Sequence, residues 1–139
     1  MKTIDMQFMR YLNLFEKITK VRTKHCFFYN NQLVFAVEPK KVSKAIGENG
    51  KNVKKLSKIL KKKIKIVPLP KNESEDEIEK FICKVIDPLQ CKYVNVKKDK
   101  IVLKADRSNK ARLIGRNKKR REELSEITDS LFDKEVEIA

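Results

Sequence analysis

Glycine is scarce in this sequence: there are three in 139 residues, at positions 47, 50 and 115. Tryptophan is absent, histidine occurs once, and aromatic residues make up 7%. The longest uninterrupted apolar run, Leu33 to Val37, has five residues. A membrane helix needs about 20, so no membrane association is expected. Asp5 stands where a secretory signal would begin its apolar stretch, which argues against export. Three cysteines do not complete a disulfide framework, and the odd number fits a reducing, cytoplasmic compartment. Cys26 beside His25 has no partners at metal-site spacing, because Cys83 and Cys91 do not form a Cys-x-x-Cys pair. No metal or other cofactor is expected. No Ser/His/Asp set, phosphate-binding Lys motif or spaced carboxylate pair supports an enzyme. Binding, rather than catalysis, is the expected class of function.

Negative charge is the other shortage. The chain has 34 Lys and Arg against 19 Asp and Glu, a net charge of +15. Residues 1–70 hold 17 basic and 4 acidic side chains, net +13, and residues 71–139 hold 17 and 15, net +2. A general bias toward lysine would load both halves alike. The excess therefore points to a polyanion, nucleic acid above all, with its footprint in the first half.

An internal repeat organises the chain. At an offset of 68, Ile46-Gly47 falls on Ile114-Gly115, Asn49 on Asn117, Lys51 on Lys119, Leu56-Ser57 on Leu124-Ser125, and Ile59 on Ile127. Upstream, Leu33-Val34-Phe35 falls on Ile101-Val102-Leu103 without a gap, and Ile64-Lys65-Ile66 matches Val136-Glu137-Ile138 after a four-residue insertion. The expected domains are 1–70 and 71–139. Each reads as helix, strand, strand, helix, Gly turn, helix, strand. Met9, Leu12, Phe15 and Ile18 predict an amphipathic helix over 4–20. Ser74 and Glu77 form a capping box ahead of Ile78, Phe81, Ile82, Val85 and Ile86, and Pro88 ends that helix. Asn30-Asn31 supplies a hairpin turn between alternating runs. A short helix is expected over about 39–46, and Val53, Leu56 and Leu60 mark the buried stripe of the helix after the turn.

The glycines sit at that turn, Ile46-Gly47-Glu48-Asn49-Gly50-Lys51. Glycine permits positive φ and close approach of a ligand to the main chain. The free N–H groups of the following helix favour an anion. A Gly-x-x-Gly loop between two helices therefore suits a phosphodiester backbone. Within this element order, stated twice, the sequence resembles the KH domain in its bacterial-type topology, whose loop clamps about four nucleotides of single-stranded RNA. With "NLFEKITK" in the first helix and "AIGENGKNVKKLSKIL" at the loop, the chain resembles the archaeal NusA-like transcription factors over residues 4–139.

The resemblance implies an α+β fold of two tandem KH domains, each a three-stranded sheet covered on one face by helices. It implies single-stranded RNA binding in transcription elongation, termination or antitermination, with RNA polymerase or the transcription machinery as candidate partner. The alternative is a KH-type protein of ribosome assembly or rRNA processing. The candidate RNA-binding residues are Lys44, Ile46, Gly47, Glu48, Asn49, Gly50, Lys51, Lys54 and Lys55 in the first unit, and Gly115, Arg116, Asn117 and Lys118 in the second.

Both loops depart from the family pattern. Glu48 stands where a basic residue is usual, and Lys118 replaces the second glycine, narrowing main-chain approach while Arg116 and Lys118 add charge. The first loop, with both glycines and the more basic half, is expected to be the stronger site. Val42, Ile46, Val53 and Leu56 are expected as core or groove floor, and Lys61-Lys62-Lys63 as a solvated turn at a helix end. Phe27 and Tyr29 face away from Cys26 and Phe28, for contact between the units or for stacking bases. No glycine lies in any expected strand, which excludes an RRM.

Overall fold

A computed structural model describes residues 6–139. The chain divides into two compact units, the first ending at Leu69 and the second running Pro70–Ala139. Among the described residues the architecture is α+β, with six α-helices and two three-stranded sheets, and is compatible with KH-like folds.

The first unit comprises α1 (Met6–Thr19), β1 (His25–Tyr29), β2 (Gln32–Val37), α2 (Val42–Ile46), α3 (Lys51–Leu60) and β3 (Lys63–Pro68). Asn30 and Asn31 both take positive φ, 52° and 60°, the backbone that a two-residue hairpin requires. β1 pairs antiparallel with β2, and β2 pairs parallel with β3 in the register Gln32↔Lys63 to Val37↔Pro68. The helices pack on the face bearing Cys26, Leu33, Phe35 and Val37. Phe15 stacks on Phe35 with ring centroids 4.3 Å apart, and both are fully buried. Truncating such a ring to Ala costs about 3–5 kcal/mol. The buried stripe of α1 is Tyr11, Phe15 and Thr19, flanked by Phe8, Leu12 and Ile18. Met9, expected within it, is exposed, and Tyr11, which meets the Phe28 ring edge-on, takes the buried position instead. Residues 4 and 5 of the expected helix lie outside the described residues.

The second unit comprises α4 (Glu75–Ile86), β4 (Tyr93–Val96), β5 (Lys100–Lys104), α5 (Arg107–Ile114), α6 (Lys119–Phe132) and β6 (Glu135–Ile138). Its sheet repeats the first: β4 antiparallel to β5, and β5 parallel to β6. All five apolar residues expected on α4 are buried. Ser74 caps that helix by accepting from Glu77 N–H at 3.3 Å. The Glu77 carboxylate does not return to Ser74; it accepts from Lys71 N–H at 2.9 Å. This bond, chiefly, holds Glu77 below the usual carboxylate range. Among the described residues, no helix is long and apolar enough to cross a membrane.

Candidate functional site

Two loops of different sequence share one backbone. Gly47 sits at φ 81°, ψ 165° and Gly115 at φ 74°, ψ 171°. Asn49 (φ 57°, ψ 27°) corresponds to Asn117 (φ 56°, ψ 30°). Gly50 (φ 72°, ψ 20°) corresponds to Lys118 (φ 62°, ψ 21°). Each loop is closed by equivalent hydrogen bonds. Gly47 N–H donates to Ser43 O and Gly115 N–H to Ala111 O, both at 3.0 Å. Gly50 N–H donates to Gly47 O at 3.1 Å and Lys118 N–H to Gly115 O at 3.2 Å.

The two glycine positions have different reasons. A Cβ on Gly47 would lie 3.0 Å from both the side chain and the N–H nitrogen of Asn52, and one on Gly115 only 2.6 Å from Arg120 Cγ. Bulk is forbidden there. A Cβ on Gly50 would meet nothing nearer than Lys54 Cε at 3.9 Å. Only the left-handed backbone resists a side chain at this point, at about 1–2 kcal/mol. The substitution in the second unit thus leaves the loop shape unchanged, and Lys118 points an exposed charge from the same fold of main chain. Across the first loop, Asn52 Nδ2 donates to Lys44 O at 3.1 Å, satisfying a carbonyl in the last turn of α2.

α4 and α5 begin with side-chain caps, from Ser74 and Asp106, whereas α3 and α6, which begin at the loops, have none. Lys51 N–H and Lys119 N–H already donate to Glu48 O and Arg116 O, so what these helix starts offer an anion is chiefly the positive end of the dipole. Lys44, Glu48, Asn49, Lys51, Lys54 and Lys55 are exposed around the first loop, with Ile46, Gly47 and Gly50 half-buried. Arg116, Asn117 and Lys118 are exposed at the second, beside half-buried Gly115. Lys54 also lines an open groove of about 520 Å³, with Gln32, Val53, Ser57, Lys58, Lys63 and Ile64. The groove runs between α3 and the edge strand β3.

Charge is partitioned differently in the two units. Residues 39–53 have four basic side chains and one acidic, while their counterparts 107–121 have eight and none. After the loop the order reverses. Residues 54–65 have seven lysines and no acid, whereas 122–137 have seven acids and one lysine. The second loop's own turn is thus the more basic, while the excess of the first half begins at Lys54 and Lys55 beside its loop and continues along the lysine run behind it.

No protein-family model matches the chain. A curated protein from Halococcus morrhuae named "Probable transcription termination protein NusA" is 24% identical over 141 residues, spanning 99% of this chain and 98% of its own. The crystal structure of a protein called APE1850 matches with a TM-score of 0.68 at 25% identity, covering 98% of this chain and all of that one. The likeness is to NusA-related, KH-type proteins.

Several side chains are placed more closely by the structure than by the sequence. Phe27 and Tyr29 are 4% and 3% exposed, and Val34 and Ala36 on the same sheet face are fully buried. Their rings are closed to bases, so stacking is excluded. Leu56 is core, Val42 packs against the core, and Val53 lines the groove. The lysine triplet is not one solvated turn. Lys61 ends α3 in the left-handed conformation, Lys62 Nζ lies 5.4 Å from the Phe28 ring centroid, and Lys63 begins β3 at the groove. Cys26 is buried. Burial, then the neighbouring Cys83 thiol, pushes Cys91 up to about 11, so its thiol stays protonated at neutral pH. No group of three His, Cys, Asp or Glu among the described residues is placed to hold a metal ion. Val53 and Lys54 were expected at such a groove, but its far wall, Lys58 and Lys63, was not; the lysine run over 54–65 was the signal for it.

Proposed function

We propose that this protein is a single-stranded RNA-binding protein of two tandem KH domains, acting in the cytoplasm in transcription elongation, termination or antitermination. The observation that bears the reading is a loop backbone built twice from different residues, each time between two helices and each time opening on an uncapped helix start. Such a site favours an anion at its positive helix end, and the exposed lysines and arginines beside it attract the neighbouring phosphates. Transcription as the setting rests on the full-length likeness to a protein named for transcription termination. RNA polymerase or an associated factor is the protein partner this implies. No step of covalent chemistry is assigned to the chain.

Two measurements test the reading. Titration of labelled single-stranded RNA should give log affinity falling with log salt at a slope of about −3 to −4, the value for four to six phosphate contacts. A slope near zero removes the electrostatic basis. Replacing Gly47 and Gly50 together with Asp should weaken RNA binding at least 30-fold or so, because a Cβ meets Asn52 and two carboxylates meet phosphate. Unchanged affinity would take the RNA away from the first loop.

A further inference from the structure

The groove beside α3 has a counterpart position by position. The 68-residue offset relates Lys54 to Glu122, Ser57 to Ser125 and Lys58 to Glu126. Strand pairing carries the relation across the insertion: Gln32 faces Lys63 in the first sheet, and Lys100 faces Glu135 in the second. Every lysine on the groove wall of the first unit is thus a glutamate in the second. All six side chains are exposed, so the reversal answers to no packing demand. The floor changes as well, since Arg121 stands in place of Val53. Lys100, in place of Gln32, has its ammonium 3.6 Å from the Glu137 carboxylate.

Resting on the RNA-binding reading above, we propose that the RNA strand occupies the groove of the first unit only, while the second unit holds RNA backbone at its loop and excludes it from its own groove. In the first unit Val53 and Ile64 offer an apolar floor, Gln32 offers hydrogen bonds to base edges, Ser57 Oγ, which donates to Lys62 O at 2.8 Å, can still accept one, and three lysines flank the phosphates. In the second unit a strand leaving Arg116 and Lys118 along the same path meets three carboxylates, each repelling phosphate. Base discrimination therefore belongs to the first unit, and sequence-independent grip to the Arg-rich loop of the second.

The test uses the full-length protein and mixed-sequence single-stranded RNA containing 4-thiouridine, photocrosslinked at low salt and mapped by peptide sequencing. Adducts are expected in residues 53–64 and at both loops, and none in 122–136. Lys54→Glu with Lys58→Glu and Lys63→Glu should lower affinity about 100-fold. Glu122→Lys with Glu126→Lys and Glu135→Lys should raise it about tenfold and bring new adducts into 122–136. Exposed positions keep the fold, which circular dichroism checks. Adducts in 122–136 of the unaltered protein, or bound RNA with none in 53–64, overturn the groove assignment alone. Absence of RNA binding at low salt overturns the RNA-binding reading and this inference with it.

Discussion

At one position of the loop the first unit has Gly50 at φ 72° and the second has Lys118 at φ 62°, and the hydrogen bond that closes each loop is the same within 0.1 Å. At another, Glu48 in the first unit stands where Arg116 stands in the second. Shape and charge are therefore separable in this fold. The first glycine fixes the shape through a contact no side chain fits, and the second position accepts whatever charge selection places there.

The largest effects that could break this comparison concern the first glycine. Gly115→Ala should destabilise the protein by about 2–4 kcal/mol, because its Cβ meets Arg120 Cγ at 2.6 Å and the Arg120 backbone nitrogen at 2.9 Å. Gly50→Ala, in open space, should cost only about 1–2 kcal/mol. Chemical denaturation of both variants decides; equal losses would mean the two positions are not distinct.

Charge at the loop should produce the next largest effects. Glu48→Lys should tighten RNA binding about fivefold at low salt, Glu48→Gln by less, and Arg116→Glu should weaken it by at least as much as Glu48→Lys gains. If Glu48 served only the dipole of α3, the Lys variant would melt earlier with affinity unmoved. Gly50→Lys, which copies the second unit into the first, should gain about threefold in affinity for about 1 kcal/mol of stability. A loss of affinity there would show that the first loop needs the close approach that glycine allows.

The smallest effect separates the helices leading into the loops. Asp106 caps α5 by accepting from Asn109 N–H at 2.8 Å, while Glu38, its counterpart, makes no side-chain cap. That backbone bond, first of all, lowers the Asp106 pKa. A carboxyl depressed on folding adds stability above its unfolded value, near 3.9, that is lost as pH falls through the folded one. Asp106→Asn keeps a cap acceptor and removes the titration, so its melting temperature should fall less steeply between pH 5 and pH 2 than the parent's. Parallel slopes would put the acid sensitivity elsewhere, Glu77 being the next group to examine.

Much of this was readable in the sequence, for reasons of range. The repeat, the Asn30-Asn31 turn, the α4 stripe and both glycine loops are written in residues within a turn or two of one another. The far wall of the groove was not, because Lys63 meets Gln32 only after β3 pairs with a strand some thirty residues earlier. Alternation left two readings open at Phe27 and Tyr29, because period two tells which residues share a face, not whether that face is covered. The α1 stripe slipped at Met9 because Tyr11 packs through its ring, and a polar-tipped aromatic counts for little in a purely apolar pattern.

The parallel pairing of β2 with β3 bears on how these sites come into being. α2, the loop and α3 lie wholly within the crossover between those two strands, so neither end of the loop is a free end from which to fray. Fixing the loop waits on closure of the crossover, a non-local event that slows folding relative to forming a hairpin. On a ribosome, the first loop would acquire its final geometry only after Pro68 had emerged. Once closed, the amide hydrogens of β2 and β3, which clamp the crossover at both ends, should exchange with solvent more slowly than those of Gly47 and Gly50 in the exposed turn between them.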